Sequence, residues 1–235
     1  MINSHEGRSV QTFDVPVAYL HAPLPDDKVV RMEFEGEFVD IICEVNPEYE
    51  NFVIYEKGKK VLFMLILKAI YGMIEIALLW YDLFSTIILG LGFKLNPYER
   101  CISNKFIDEH QCTIRWFVDD NKVSHMGDNV NSMLADNIEE NFGKISRKTG
   151  KKHIFLGMEI DFIGGKKVTV STPHHVDEAL EDFGETIKGK VVNPATSQLF
   201  TIASEAKELD DGKKEHYHSI TAKILWIMKR SRPDL

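Results

Sequence analysis

Cysteine is scarce in this chain: only Cys43, Cys101 and Cys112 occur in 235 residues, and no two stand in a Cys-x-x-Cys spacing. Three cysteines cannot all pair, so the sequence carries neither a disulfide framework nor a zinc motif, and a reducing compartment is expected. A clean membrane-length apolar run is also missing. The most hydrophobic stretch, Val61 to Phe93, is interrupted by Lys68, Glu75 and Asp82, which makes it a core segment and not a membrane anchor. Positive charge is in deficit, with 28 basic against 36 acidic residues and a net charge of −8. That balance excludes a chain that coats nucleic acid nonspecifically but leaves room for a local basic face. The opening "MINSHEGRSVQ" has no apolar core of a signal peptide, so secretion is not expected. Repeats and low-complexity tracts are absent too. What is present is an ordinary globular composition in a chain long enough to bury roughly 70–75 per cent of its unfolded surface, as one large domain or two small ones.

Periodicity and turn signals order the elements. "SVQTFDV" reads as a strand that Pro16 ends, and "KVVRMEF" and "KVLFMLIL" read as further strands. From Glu75 to about Leu89 the pattern is helical, with Glu75 and Asp82 on one face and apolar residues elsewhere, so a nearly buried helix is expected. "CISNKFI", "CTIRWFV" and "KVSH" are strand-like. A second helix is expected over 128–142, with Val130, Met133, Leu134, Ile138 and Phe142 on its apolar face. "HIFLGMEIDFIGGKKVTVS" predicts one hairpin turning at Gly164-Gly165. "TPHHVDEALEDFG" predicts a short helix with Thr172 as cap, Pro173 first and Gly184 past its end. About Lys188 to Lys214 reads as a polar loop, and "HSITAKILWIMKRSRPDL" as an amphipathic helix stopped before Pro233.

The segment "WFVDDNKVSH" places Asp119 and Asp120 side by side after an apolar strand. Asp-Asp also occurs at Asp26-Asp27 and Asp210-Asp211, among Pro, Gly and Lys, where solvated turns are expected. Taken alone, the third pair also reads as a solvated hairpin turn. From Val10 to Ile163, however, the main order is strand, helix, strand, turn, strand, helix, strand, the split β-α-β-β-α-β plan of an α+β domain. In that plan the first strand and the central hairpin are near neighbours in one antiparallel sheet, so Asp14 meets Asp119. Three carboxylates on two neighbouring strand ends are tolerable when a hard, oxygen-liganded cation such as magnesium compensates them.

These residues resemble a family. "DVPVAYLHAPLPDDKVVRMEF" resembles the first catalytic motif of copia-type retrotransposon reverse transcriptases, and "LKAIYGMIEIALLWYDLFSTIILGLGF" resembles their Leu-Tyr-Gly segment and following helix. "WFVDD" is similar to their aromatic-Val-Asp-Asp motif, "KHIFLGMEIDF" to their Phe-Leu-Gly-Met/Ile-Glu-Ile strand, and "HSITAKILWIMKRSRPDL" to the helix before their RNase H region. The five occur in the family's order, from about residue 10 to the last. The resemblance implies a polymerase palm, with helices on one face of its sheet, over 1–165, followed by a partial thumb or connection segment over 166–235. It implies Asp14, Asp119 and Asp120 as catalytic and metal-binding carboxylates, with Asp120 the less direct ligand, and two Mg²⁺ ions as cofactors. Val15 would offer its backbone oxygen, and Tyr19 falls where the family keeps an aromatic beneath the incoming sugar. The reaction implied is two-metal transfer of a nucleotide to a primer 3′-hydroxyl. The implied partners are an RNA template, a DNA primer, deoxynucleoside triphosphates and other polyprotein segments of the element, with no membrane. The implied location is intracellular, in cytoplasm or a virus-like particle.

There are departures from the family. Ile74-Glu75 stands where the family has Lys-Gln, placing an anion where a nucleotide is expected, and Glu99-Arg100-Cys101 replaces Asp-Pro-Cys. Only about a dozen residues precede the first motif, in place of a basic fingers region, and no RNase H region follows. On these grounds the chain reads as a truncated, degenerate copy, and a noncatalytic remnant that binds nucleic acid or protein is the alternative reading. The run "KISRKTGKK" offers Lys144, Arg147, Lys148, Lys151 and Lys152, either as a solvated loop or as a phosphate-backbone contact. His174-His175 and His216-x-His218 lack a zinc-type companion motif and read as surface or packing residues. Trp80, Trp116 and Trp226 lie in apolar segments and are expected in the core.

Overall fold

The computed structural model describes residues 1–186, 189, 201 and 205–234. The polar loop expected from about Lys188 to Lys214 falls largely outside them. In chain order the elements are α1 (Ile2–Glu6), β1 (Ser9–Asp14), a 3-10 helix (Ala18–His21), β2 (Val30–Glu35), α2 (Glu37–Val45), a second 3-10 helix (Pro47–Phe52), β3 (Ile54–Glu56), β4 (Lys59–Ile66) and α3 (Ile76–Gly90). Then follow β5 (Lys94–Leu95), β6 (Ile102–Ile107), β7 (His110–Phe117), β8 (Asp120–His125), α4 (Asp128–Phe142), β9 (Ser146–Lys148), β10 (Lys152–Phe155), β11 (Met158–Gly164), β12 (Lys167–Ser171), α5 (Pro173–Phe183) and α6 (Asp211–Arg230). The chain is α+β, its strands paired in antiparallel sheets. It divides into two compact units, one of Phe13–Val123 with Ser132–Arg147, the other of Met1–Thr12, Ser124–Asn131 and the residues from Lys148 on.

The first unit carries β5, β6 and β7 and the adjoining parts of β8, β1 and β9, which neighbour one another in the order β5-β6-β7-β8-β1-β9. Its core is aromatic. Trp80 and Phe84 of α3 pack on Phe142 at ring separations of 5.1 and 5.9 Å, and Phe84 meets Trp116 of β7 at 5.4 Å. Helix α3 forms where expected but is not nearly buried. It buries a single stripe, Trp80, Phe84, Ser85 and Ile88, while Leu78 and Leu89 are exposed. The spacing i, i+4, i+5, i+8 is one face of a helix, and only that face meets neighbouring elements. On α4, Ile138, Leu134 and Phe142 are buried as expected, and Ala135 takes the inward place foreseen for Met133, which is half exposed.

The same unit holds a second small sheet in the order β2-β4-β3. Alternation on β2 and β4 sends Phe34, Leu62 and Met64 to one side, where Val39 and Cys43 of α2 complete a cluster. Helix α2, the helical segment after it and β3 went unread in the sequence, because residues 37–56 mix acids and apolar residues, although Asn46-Pro47 marks the turn where the Asn46 side chain accepts from the Glu48 N–H.

The segment expected as the last strand of the split plan, residues 153–163, is not in the central sheet, where β9, inside the run read as a loop or phosphate contact, takes the place beside β1; in the other unit that segment and the expected single hairpin form a three-stranded meander, β10-β11-β12. Phe155 pairs with Met158, leaving Leu156 (φ 53°) and Gly157 (φ 72°) as a two-residue turn. Gly164 pairs with Lys167, so the second turn is Gly165-Lys166, one residue later than predicted. Leu at a positive φ is uncommon, which is why the first turn escaped notice. Gly157 is constrained by space as well, since a Cβ there would lie 3.0 Å from His175 and 3.2 Å from Trp226. Helix α5 ends at Gly184 in the left-handed conformation as predicted, but the Thr172 hydroxyl pairs with Ser231 and makes no cap bond. Helix α6 starts at Asp211, not His218, because Asp210 caps it through the Lys213 N–H. No helix among the described residues is long and apolar enough to cross a membrane.

Candidate active site

Strand β1 delivers Asp14 as its last residue. Phe13 and Val15 on either side are buried, which holds the backbone while the carboxylate stays half-buried. Across the β7-β8 hairpin the turn is Val118-Asp119. The Val15 N–H donates to the Asp119 carbonyl at 3.0 Å, so the end of β1 is tied directly to the hairpin tip. Two further donors fix that tip. The buried Trp80 indole N–H reaches the Val118 carbonyl at 2.9 Å, and the fully buried Asn121 amide donates to the Asp119 carbonyl.

The turn is made from unfavourable residues. Val118 has φ 54°, and Val17, just after β1, has φ 49°. Both are β-branched residues in the left-handed region, a conformation that costs on the order of 1–3 kcal/mol each. The surrounding hydrogen bonds over-determine both positions, since the Val17 carbonyl also accepts from the Leu20 N–H at 2.8 Å.

Asp14 and Asp119 lie within each other's field. Burial, and then the Asp119 charge, push the Asp14 carboxyl above the ordinary carboxylate range. Tyr19, in the 3-10 helix, is raised by burial, then by Tyr71, then by Asp119. Its ring meets Tyr71 edge-on at 5.2 Å. Val15 therefore joins the site through its N–H to Asp119. Lys122, three residues past Asp119, is pushed down by burial and by the Arg115 charge.

Among the described residues no three His, Cys, Asp or Glu side chains gather in a way that could hold a metal. Asp120 opens β8 half-buried, and the carboxylate that acts on Asp14 from the hairpin is Asp119. A pair suits magnesium, which is usually held by one or two carboxylates together with substrate phosphates. Glu75, immediately before α3, is ion-paired with Lys28, so the anion that departs from the family pattern has its own cation.

The basic run is divided by tertiary contacts. Arg147 forms ion pairs with Asp136 and Glu139 of α4, and Lys152 pairs with Asp161 of β11. Lys144, Lys148 and Lys151 are exposed. His174 and His175 both face Glu178. Trp80 and Trp116 are buried as expected, whereas Trp226 is half-buried between His175 and Arg230.

Sequence reasoning missed Lys28, Tyr71, Asn121 and the positioning role of Trp80. For Trp80 only part of a signal existed, because a buried indole N–H usually finds an acceptor but the fold alone brings the turn, 38 residues away in sequence, to it. The other three are juxtapositions across the fold that no local pattern announces.

No protein-family model matches the chain. No curated protein matches it either. Among solved structures the chain is similar to the apo telomerase of Candida tropicalis, with a TM-score of 0.38 and 14% identity over 69% of this chain and 32% of the telomerase. The same telomerase truncated from its C-terminal domain gives a TM-score of 0.37 and 14% identity over 69% of this chain and 35% of that one. The chain spans about a third of the length of the telomerase chains it matches.

Proposed function

We propose that the chain is the catalytic palm of a copia-type reverse transcriptase, residues 1–165 forming the palm and 166–235 a thumb or connection segment. The observation that carries this reading is the bond from Val15 N–H to the Asp119 carbonyl, which unites the ends of two strands whose carboxylates are Asp14 and Asp119. The order β7-β8-β1-β9, with α3 between β1 and β7 and α4 between β8 and β9, supports the split β-α-β-β-α-β plan. The strained valines support it as well, since such backbone persists at sites where geometry is held for a purpose.

In this reading Asp14, Asp119 and the Val15 carbonyl would hold two magnesium ions, with Asp120 in an adjacent, indirect role. Magnesium supplies Lewis-acid stabilisation of phosphoryl oxygens and activates a hydroxyl nucleophile. The Trp80 and Asn121 bonds hold the turn so that Asp119 need not reorganise during the reaction. Tyr19, backed by Tyr71, forms the floor for the sugar of a deoxynucleoside triphosphate. Lys144, Lys148 and Lys151 contact the backbone of an RNA template and DNA primer. The test is primer extension on an RNA template with Mg²⁺, comparing the chain with Asp119→Asn. Extension by the wild type alone supports the proposal, and a folded wild type that extends nothing sinks it.

A second reading, a noncatalytic remnant that binds nucleic acid or protein, is favoured by the Lys28 and Glu75 pair, which occupies a cation the nucleotide would otherwise use. It predicts Mg²⁺-independent binding and no extension.

A further inference from the structure

Helix α2 is amphipathic twice over. One side, Val39 and Cys43, is buried against Leu62 of β4. The other side carries Phe38, Ile41 and Val45 at spacing i, i+3, i+7, which places them in one stripe. They are 67%, 55% and 82% exposed. Isolated exposed apolar residues need no explanation, but a helical stripe of three large ones marks an interaction surface. Exposed Phe52 and Tyr55 follow in the next segments.

The charge carried by this segment of the chain is of one sign. Residues 37–56 contain six acidic residues and no Lys, Arg or His. Glu37 and Glu44 lie roughly 40–60° around the helix from Ile41, on the side away from the core. Both are exposed, whereas Asp40 is held by Lys60 of β4. An acidic border repels phosphate, which excludes nucleic acid and anionic lipid as occupants. It also opposes a second copy of this chain, whose matching face would bring acid against acid. A cationic partner with an apolar stripe of its own is complementary in both respects.

We infer that the outer face of α2 docks a basic amphipathic helix of a protein partner, in the helix-in-groove manner with apolar anchors at three- and four-residue spacing. Phe38, Ile41 and Val45 receive the anchors, and Glu37 and Glu44 face the partner's Lys or Arg. This surface is independent of the polymerase reading and remains if that reading fails.

The test uses the full chain and a fluorescent 18-residue peptide of Leu and Lys that forms an amphipathic helix, with a Leu and Glu peptide of the same pattern as control. Anisotropy is expected to show saturable binding of the cationic peptide only, weakening as salt rises. Phe38→Ser with Ile41→Ser and Val45→Ser is expected to weaken it at least tenfold, with the far-UV spectrum unchanged because these side chains are exposed. Glu37→Gln with Glu44→Gln, which leaves the stripe intact, is expected to weaken it and flatten the salt dependence. The inference is overturned if the cationic peptide does not bind at millimolar concentration, or if it binds the serine variant as well as wild type. It is also overturned if sedimentation shows a wild-type dimer that the serine variant abolishes.

Discussion

Val15 and Asp119 are joined by a 3.0 Å backbone hydrogen bond, and this contact draws two carboxylates 105 positions apart in sequence into each other's field. The repulsion it creates, the strained turn that presents Asp119 and the donors that hold that turn each lead to a measurable expectation.

Asp14 titrates above its ordinary value in the folded chain, so its ionised form is disfavoured there relative to the unfolded chain. The carboxyl is neutral in both states below about pH 3.8, and wild-type stability falls as pH rises through the raised folded value. Asp14→Asn removes that titration. Denaturant unfolding should therefore show the variant gaining on wild type between acid and neutral pH, and a difference that is flat with pH would contradict the pairing.

Millimolar Mg²⁺ should raise the melting temperature of wild type, by an amount that grows with its concentration over its dissociation constant. Asp14→Asn and Asp119→Asn should each blunt this response. An identical response in all three proteins would show that the cations bind elsewhere.

Trp80 and Trp116 are equally buried, but only Trp80 has an indole partner, the Val118 carbonyl, while the Trp116 N–H has none. Trp80→Phe removes the donor from a half-buried carbonyl, whereas Trp116→Phe removes a polar group that was already unpaired. The first should cost about 0.5–1.5 kcal/mol more than the second in urea unfolding. Equal costs would remove the case for Trp80 as the residue that holds the turn.

With Arg147 and Lys152 engaged by acidic partners, only Lys144, Lys148 and Lys151 remain for phosphates. Duplex binding should fall with salt at a log–log slope of about −2.7, in place of the roughly −4.5 that all five would produce. Arg147→Ala should leave that slope unchanged while costing up to about 1 kcal/mol of stability.

Glu75→Gln should change stability by less than about 1 kcal/mol, because Glu75 is exposed and Lys28 only half-buried. It releases Lys28, and nucleotide binding with Mg²⁺ should tighten. Isothermal titration of a deoxynucleoside triphosphate against both proteins decides between the polymerase and remnant readings, since the remnant binds neither way.

Local patterns in the sequence determined β1, β6, β7 and β8 of the central sheet, both long helices around it and the cap at Gly184, because alternation, 3.6-residue periodicity and turn residues are written in neighbouring positions, whereas the short outer strands β5 and β9 left no such pattern. They also marked Asp14 and Asp119 as partners, through the order of elements. Tertiary structure alone decided what surrounds that pair. The Leu156-Gly157 turn and the Val118-Asp119 turn use residues that propensity argues against, so only contacts from elsewhere in the fold stabilise them. The pairing of Glu75 with Lys28, of Arg147 with Asp136 and Glu139, and of Tyr19 with Tyr71 depends on side chains that meet across loops. Burial behaves the same way: α3 is apolar around most of its circumference in sequence, yet which stripe leaves water is set by the elements packed against it, and hydrophobicity does not specify a neighbour.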